Sequence, residues 1–308
     1  MNKLQTIFVG VDFSECSRCA LEQAVRLARW NNAGLRIIHA LSPASFNATG
    51  QELQQTLDEL RGRMREHAIA RLADWAAQAG APAGHSREVI VGAPLDVLLT
   101  ASRSQDADLL VLGVTGDSLL GNGAGTLATK CLRKSGTKVM LVNASHAQPF
   151  RRIVACVDFS EASLEVVAQA WRVAGRDRAE VHLLHVVQPE WDTWTSLELP
   201  AISDFERAYC AILEGNLRQF AASPAEVNPI VSVFPAKTHG HGIAEYCRNL
   251  GADLVILGAK GQTNLKYVLL GSTVERLMKE IPCSALVVRP PGSKVHQADQ
   301  ITSPSACD

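Results

Sequence analysis

The residue types best suited to chemistry lie in a glycine-rich segment of the second half of the chain. The segment reads Gly258-Ala259-Lys260-Gly261, then nine residues, then Gly271-Ser272. An apolar run that predicts a buried strand precedes it, and apolar residues at helical spacing follow it. Glycines let the backbone approach a ligand closely, and the start of a helix offers unpaired N–H groups to an anion. The pattern predicts an anion site; the alternative is an ordinary strand-to-helix turn whose glycines serve geometry alone.

Hydroxyl and charged side chains in the same segment could also contact the anion. Ser272 can donate a hydrogen bond, and Lys260 or Lys266 can supply positive charge. The segment is not a Walker A loop, because no Gly-Lys-Ser/Thr sequence ends it.

The sequence contains two copies of one domain. Asp12-Phe13-Ser14-Glu15 recurs as Asp158-Phe159-Ser160-Glu161, an offset of 158 − 12 = 146 residues. The same offset carries His39 to His185. Self-similarity at a constant offset is the signature of a repeated structural unit.

Each copy alternates short apolar runs with helical patterns, which indicates βαβ units. The predicted strands are 6–11, 35–40, 86–91, 108–113, 138–143, 152–157, 180–187, 230–235, 253–258 and 284–289. The predicted helices are 15–31, 52–79, 94–104, 126–135, 161–174, 203–222, 241–250 and 272–280. The fold class is therefore α/β, with two tandem, doubly wound, Rossmann-like domains that each contain a five-stranded parallel sheet. Right-handed crossovers bring the ends of the first and fourth strands together, so Asp158 should face the Gly258–Ser272 loop across a crevice.

The repeat also predicts how the chain is divided. The bounds are 1–143 for the first domain, 144–150 for a polar linker, 151–290 for the second domain and 291–308 for a tail expected to be disordered. So short a linker should hold the halves together as a pseudo-two-fold dimer. We expect Val139–Val142 and Ala285–Val288 to pair, since each strand would otherwise be a bare apolar edge. A further homodimer is left open.

The spacing Gly-x2-Gly-x9-Gly-Ser resembles that of the universal stress proteins, specifically their tandem two-domain type, over about residues 3 to 290. The resemblance implies an adenine nucleotide α-hydrolase-like fold and ATP, with or without Mg²⁺, as the cofactor. It assigns Asp158 to the ribose or a metal and the backbone of Val186 to the adenine edge. The residues assigned to ribose and phosphates are Gly258, Gly261, Gly271 and Ser272. We add Lys266 to the predicted site for its positive charge alone. The matching positions in the first copy are Asp12, Ala40, Gly113, Gly116, Gly125 and Thr126.

The two glycine loops differ in charge. The first reads Gly113-Val114-Thr115-Gly116, then eight residues, then Gly125-Thr126. Between Gly113 and Thr129 it has no Lys or Arg and one acid, Asp117. A triphosphate brings several negative charges into a partly desolvated crevice, where unfavourable charge outweighs a few backbone hydrogen bonds. We predict that nucleotide prefers the second half, unless lysines from elsewhere in the chain compensate.

Composition limits the other function classes. A formal charge of −1 and 5% aromatic residues argue against nucleic acid as a partner, and the apolar runs are too short to span a bilayer. The eight cysteines show no paired framework and the N-terminus no signal peptide, so we expect a cytoplasmic protein. The expected partner is a small-molecule nucleotide.

Four weaker signals carry alternatives. Cys16 and Cys19 form a C-x-x-C at a predicted helix start, where redox chemistry competes with a structural role. His239, His241 and Cys247 lack the spacing of a zinc site, so surface histidines are favoured and no metal site is predicted. His39 and His185 should bond to backbone, with ligand contact as the alternative. The loop 188–203, with two tryptophans, should form a lid or pack on the other half, with the covering of a specific apolar ligand as a further alternative.

No residue is assigned a catalytic role. Hydrolysis of ATP requires a positioned base and groups that stabilise developing charge, and no base–orienter pair is evident. We therefore expect a binding or signalling module in the response to stress. The alternatives are a weak ATPase and a carrier or sensor of another phosphorylated or amphiphilic molecule in the same crevice.

Overall fold

A computed structural model describes residues 4–42, 51–116, 123–144, 149–188, 200–221, 228–261 and 270–289. The predicted lid, the tail from 291, Asp117 and Lys266 lie wholly or mainly outside these ranges. None of the described helices is both long and apolar enough to cross a bilayer.

Strands and helices alternate along the first half. Its elements are β1 (Thr6–Gly10), α1 (Glu15–Asn31), β2 (Gly34–Leu41), α2 (Gln51–Gln78), β3 (Ser86–Val91), α3 (Pro94–Ser104), β4 (Leu109–Gly113), α4 (Thr126–Lys134) and β5 (Lys138–Val142).

The second half repeats the same order. Its elements are β6 (Arg152–Cys156), α5 (Glu161–Asp177), β7 (Glu180–Val187), α6 (Pro200–Phe220), β8 (Ile230–Pro235), α7 (His239–Leu250), β9 (Leu254–Gly258), α8 (Ser272–Met278) and β10 (Ser284–Val288).

Within the described residues, the strands form one ten-stranded sheet with the order β3-β2-β1-β4-β5-β10-β9-β6-β7-β8. Each half contributes five neighbouring strands, and every pair within a half is parallel. The halves meet where β5 and β10 run antiparallel, with Leu141 opposite Ala285 and Val139 opposite Val287. The predicted contact between the two last strands is confirmed.

Local sequence explains the elements. All five residues of β10 are buried, as expected of a continuous apolar run covered by helices on both faces. Ser14 caps α1 by accepting a hydrogen bond from the Ser17 amide, and Asn32 ends the helix in the left-handed conformation. Two core layers, one on each face of the sheet, contain residues from both halves.

The predicted bounds differ from the structure mainly at two helices. Helix α5 continues to Asp177 instead of ending at 174, because Asp177 is held by the Arg26 guanidinium and the Phe150 amide of neighbouring segments. Helix α6 begins at Pro200 instead of 203, a position where a proline ring fits the first turn without losing a hydrogen bond.

Candidate functional site

A cavity of about 360 Å³ lies at the carboxyl ends of β6, β7 and β9 in the second half. We call it the second crevice. The predicted site residues that line it are Asp158, Val186, Gly258, Gly261, Gly271 and Ser272. Lys260 also lines it. The topology therefore brings together every predicted residue of this site that falls within the described ranges.

Asp158 faces the glycine loop as the crossover rule predicts. A Cβ atom at position 261 would lie 2.7 Å from Asp158 Oδ2, closer than real Cβ atoms approach an oxygen. Glycine is therefore required at 261 to keep the carboxylate in place. The other carboxylate oxygen, Oδ1, accepts hydrogen bonds from the Ser160 amide (3.1 Å), the Ser160 hydroxyl (2.5 Å) and the Ser163 hydroxyl (2.6 Å).

A strained turn holds this aspartate. Phe159, the next residue, has a φ of 62°, a conformation that costs energy for a residue with a bulky side chain. Its ring packs on His185 at 4.8 Å and edge-on against Phe220 at 5.5 Å between centroids. This aromatic packing compensates the strain and fixes the direction of the Asp158 side chain.

His185 is anchored to the backbone, as the sequence predicts. Its Nδ1 atom lies 2.7 Å from the Val157 carbonyl oxygen, and the equivalent His39 makes the same contact to Val11 at 2.7 Å. The His185 side chain also lines the second crevice.

The glycine loop leads directly into α8. The Gly271 amide donates to the Ala259 carbonyl at 2.8 Å, which closes the loop. Gly271 is the N-cap of α8. Because glycine has no side chain, the first N–H groups of the helix receive no capping bond from this residue. Ser272 is the first helical residue and lines the cavity.

His239 is a crevice residue that the sequence analysis did not assign. It is the first residue of α7 and lines the second crevice beside His185. His239 is exposed to solvent on one side, and partial desolvation on the other lowers its pKa below the usual histidine value; His185 lowers the pKa further, and Asp158 partly opposes both. His239 is therefore neutral near pH 7. The signal that could have found it is its alignment with Pro94, which also begins a helix at the edge of a crevice.

The zinc alternative is not supported. His241 is exposed and its Nδ1 lies 3.0 Å from Glu280 Oε1, whereas Cys247 is buried. The three side chains therefore lie in different environments: His239 lines the crevice, His241 faces solvent and Cys247 lies in the core. No group of three or more potential metal ligands occurs among the residues that the structure describes.

A cavity of about 330 Å³ occupies the equivalent place in the first half. We call it the first crevice. All the predicted first-half positions line it: Asp12, Ala40, Gly113, Gly116, Gly125 and Thr126. A Cβ atom at position 116 would lie 2.9 Å from Asp12 Oδ2, so the close approach of glycine and aspartate is repeated.

The lining of the first crevice differs most in its charged and titratable side chains. Thr115 stands where the second crevice has Lys260, and Pro94 stands where it has His239. Cys16, the counterpart of Ala162, lies beside Thr115. The Cys16 sulfur contacts the Thr115 hydroxyl at 3.2 Å. Among its described lining residues, the first crevice has no lysine, arginine or histidine.

The C-x-x-C motif does not have the surroundings of a redox pair. Cys16 and Cys19 are both buried. Burial raises the pKa of Cys19 to about 11, which is opposite to the shift that a reactive thiol requires. The Cys19 sulfur is 3.2 Å from the Ala144 carbonyl oxygen, a contact that secures the end of the first half.

Comparison with known proteins decides the family. A model of the universal stress protein family matches residues 3–143 and again residues 149–289. The chain belongs to the universal stress protein family. A universal stress protein of Mycobacterium tuberculosis is 26% identical over 92% of this chain and 96% of its own length. Another, from Methanocaldococcus jannaschii, is 30% identical over 46% of this chain and 84% of its own length.

Solved structures agree on the fold of this universal stress protein. The crystal structure of a universal stress protein from Archaeoglobus fulgidus covers 92% of this chain and 98% of its own chain, with a TM-score of 0.63 and 17% identity. At that identity the likeness concerns the fold. Each half of the chain is thus one universal stress protein domain, and each has a crevice at the carboxyl ends of its strands.

Proposed function

We propose that the second crevice binds ATP or a related nucleotide and that this universal stress protein is a nucleotide-dependent binding module. The observation that carries the proposal is the meeting of a glycine loop, Lys260 and a fixed carboxylate in one cavity at the carboxyl ends of the strands. Backbone N–H groups and an ammonium group suit phosphates, and a carboxylate suits ribose hydroxyls or a divalent cation.

Each side of the crevice has a separate role in this proposal. Gly258, Gly261, Gly271 and Ser272 surround the phosphates and the ribose, with Lys260 and Lys266 as counter-charges. The backbone of Val186, at the end of β7, meets the adenine edge. Asp158 binds the ribose or Mg²⁺, because three hydrogen bonds to Oδ1 hold the carboxylate in one orientation.

We propose binding rather than rapid turnover. Three donors already occupy Asp158 Oδ1, so this oxygen is not placed to accept a proton from water as a general base does. His185 is committed to the Val157 carbonyl through Nδ1. The nucleotide would then act by favouring one conformation of the loops around the crevice.

Isothermal titration calorimetry with ATP, with and without Mg²⁺, tests the proposal. We expect one site per chain, with affinity reduced at least about tenfold by Asp158→Ala and unchanged by Asp12→Ala. Single-turnover phosphate release, measured on the same samples, tests the weak ATPase alternative. Two equal sites, or no heat of binding, would contradict the proposal.

Native mass spectrometry of freshly purified protein separates nucleotide from the remaining alternative. A co-purified mass equal to an adenine nucleotide supports the proposal. A lipid-like mass that ATP displaces would instead identify the crevice as the site of an amphiphilic ligand.

A further inference from the structure

A groove of about 310 Å³ lies between α2 and the carboxyl end of β2 in the first half. We call it the α2 groove. Its buried residues Leu41 and Ala68 belong to one core layer, whereas Ile38 and Leu98 of the first crevice belong to the other. The groove therefore opens on the opposite face of the sheet from the crevice. It shares no lining residue with either crevice, so a partner bound there would be independent of the proposed nucleotide site.

The floor of the α2 groove is apolar. Phe13, Leu41, Met64 and Ala68 form it, and Leu41 and Ala68 are buried. Met64 is 38% exposed, so its side chain is accessible from solvent. The floor thus offers an apolar contact at the surface of the molecule.

Three further lining residues form a basic row along α2. Arg63, His67 and Arg71 follow one another at intervals of four residues, and all three are exposed. The Arg71 guanidinium lies 4.3 Å from the centroid of the Phe13 ring, a stacking contact that fixes its position beside the floor. Because a helix rises about 1.5 Å per residue, the two arginines are about 12 Å apart along the helix axis.

The charge of the basic row is not balanced inside the α2 groove. None of the described residues that line the groove is acidic. The acids in the same part of α2, Glu59, Glu66 and Asp74, do not line it. Among the residues that the structure describes, neither Arg63 nor Arg71 forms an ion pair. Two guanidinium groups beside an apolar floor are therefore available to an anionic partner.

The second half lacks the basic row at the equivalent positions. Leu72 and Leu217, both fully buried, align α2 with α6 at an offset of 217 − 72 = 145 residues. At that offset the counterparts of Arg63, His67 and Arg71 are Ala208, Ile212 and Asn216. The row is therefore not a requirement of the repeated fold.

We propose that the α2 groove binds an extended acidic segment of a partner protein, in which two acidic residues flank an apolar one at the spacing acid-x-apolar-x-acid. In an extended chain alternate side chains face the same side and each residue advances about 3.3 Å, so the two acids are about 13 Å apart. That separation matches the distance between Arg63 and Arg71, and it places the apolar residue over Met64 and Ala68. Arginine pairs well with carboxylates, and arginine clusters commonly recognise acidic motifs.

Other anions fit the α2 groove less well. A small anion would reach only one of the two arginines. A polyanion without apolar groups would leave the floor uncovered. The proposed segment satisfies both features at once.

Calorimetric titration of the full-length chain with a capped heptapeptide, Ser-Glu-Ser-Leu-Ser-Glu-Ser, tests the inference. We expect binding at millimolar concentration or below, weakened about tenfold when both glutamates are replaced by glutamine, since two exposed ion pairs are lost. The isomer Ser-Ser-Glu-Leu-Glu-Ser-Ser has the same composition and charge but turns its leucine away from its acids. It should bind about tenfold more weakly than the first peptide.

A charge reversal on the protein tests the contact from the other side. Arg63→Glu should weaken the first peptide about tenfold, because one attraction is replaced by a repulsion. Arg63 is exposed, so the thermal midpoint should not change. Arg65→Glu makes the same charge change two residues further on, outside the groove, and should leave the affinity for the peptide unaltered.

Several results would overturn the inference: no heat with the first peptide at millimolar concentration, equal affinity for its isomer, or unchanged affinity in Arg63→Glu. An equal loss in Arg63→Glu and Arg65→Glu would indicate general attraction to α2 and would also contradict it. Displacement of the peptide by ATP would place it in a crevice instead. Because these failures leave the ATP titration as it is, they are distinguishable from failure of the proposed function.

Discussion

The second crevice presents Lys260 and His239 where the first presents Thr115 and Pro94. Around these positions the backbone is repeated closely: each crevice has a strand-end aspartate, a phenylalanine at positive φ and a glycine whose absent Cβ makes room for the carboxylate. Duplication has therefore preserved the geometry of the site while its charge has diverged. Charge, rather than shape, is the feature that should decide which half binds a polyphosphate.

The aspartates differ in a subtler way. Asp158 Oδ1 accepts from two serine hydroxyls and one amide, whereas Asp12 Oδ1 accepts from the hydroxyl and the amide of Ser14. Ser17, the counterpart of Ser163, donates instead to the Ser14 carbonyl. The carboxylate of the second crevice is therefore held by more donors.

The largest effect on ATP affinity is expected from the substitution Gly261→Asp in the second crevice. The new side chain would begin 2.7 Å from Asp158 Oδ2 and would add a negative charge beside the phosphates. We expect ATP affinity to fall at least about a hundredfold, because steric conflict and charge repulsion act together. Calorimetry at fixed Mg²⁺ measures the change.

Gly116→Asp is the matched control. It introduces the same side chain 2.9 Å from Asp12 Oδ2 in the first crevice, so the two variants should lose similar thermal stability. ATP affinity should remain that of the wild type. An equal loss of affinity in both variants would mean that the two crevices bind nucleotide alike.

The next largest effect on ATP affinity is expected from exchanging Lys260 and Thr115 between the two loops. Lys260→Thr should weaken ATP by about ten- to a hundredfold, since a hydrogen bond to a charged group contributes about 1.5–3 kcal/mol. Thr115→Lys should produce a second, weaker binding event in the first crevice. Titration with adenosine sharpens the interpretation, because a ligand without phosphates should respond to neither exchange.

If Lys260→Thr left ATP affinity unaltered, the charge on the phosphates would have to come from elsewhere in the loop. Lys266 is the candidate that the sequence provides. A Lys266→Thr variant, measured in the same way, would then decide between the two lysines.

Much of this arrangement could be predicted from the sequence, for reasons that are local. Continuous apolar runs such as Leu254–Leu257 are compatible with a buried parallel strand and little else of that length, and the crossover rule then places Asp158 opposite the glycine loop. The pairing of β5 with β10 followed from the need to cover two apolar edges.

The rest depends on contacts between segments that are distant in the sequence. His239 enters the second crevice because α7 begins at the sheet edge, and its histidine-rich surroundings resembled a metal motif more than a ligand contact. The ion pair of Arg26 with Asp177 likewise joins residues 151 positions apart in the sequence, and no local pattern predicts it.

The smallest effect concerns the protonation of His239. Its pKa lies below the usual histidine value, so the imidazole is neutral near pH 7. A bound polyphosphate would raise that pKa, and binding would then take up a proton and become tighter as the pH falls through the raised value. We expect an enhancement of a few-fold in wild type that is absent in His239→Gln. Because ATP itself titrates in this range, the variant measured under identical conditions isolates the contribution of the histidine.

Calorimetry in two buffers with different ionisation enthalpies measures directly how many protons are taken up when ATP binds. An equal proton uptake in both proteins would remove His239 from the list of groups that distinguish the second crevice from the first, leaving Lys260 to account for the preference.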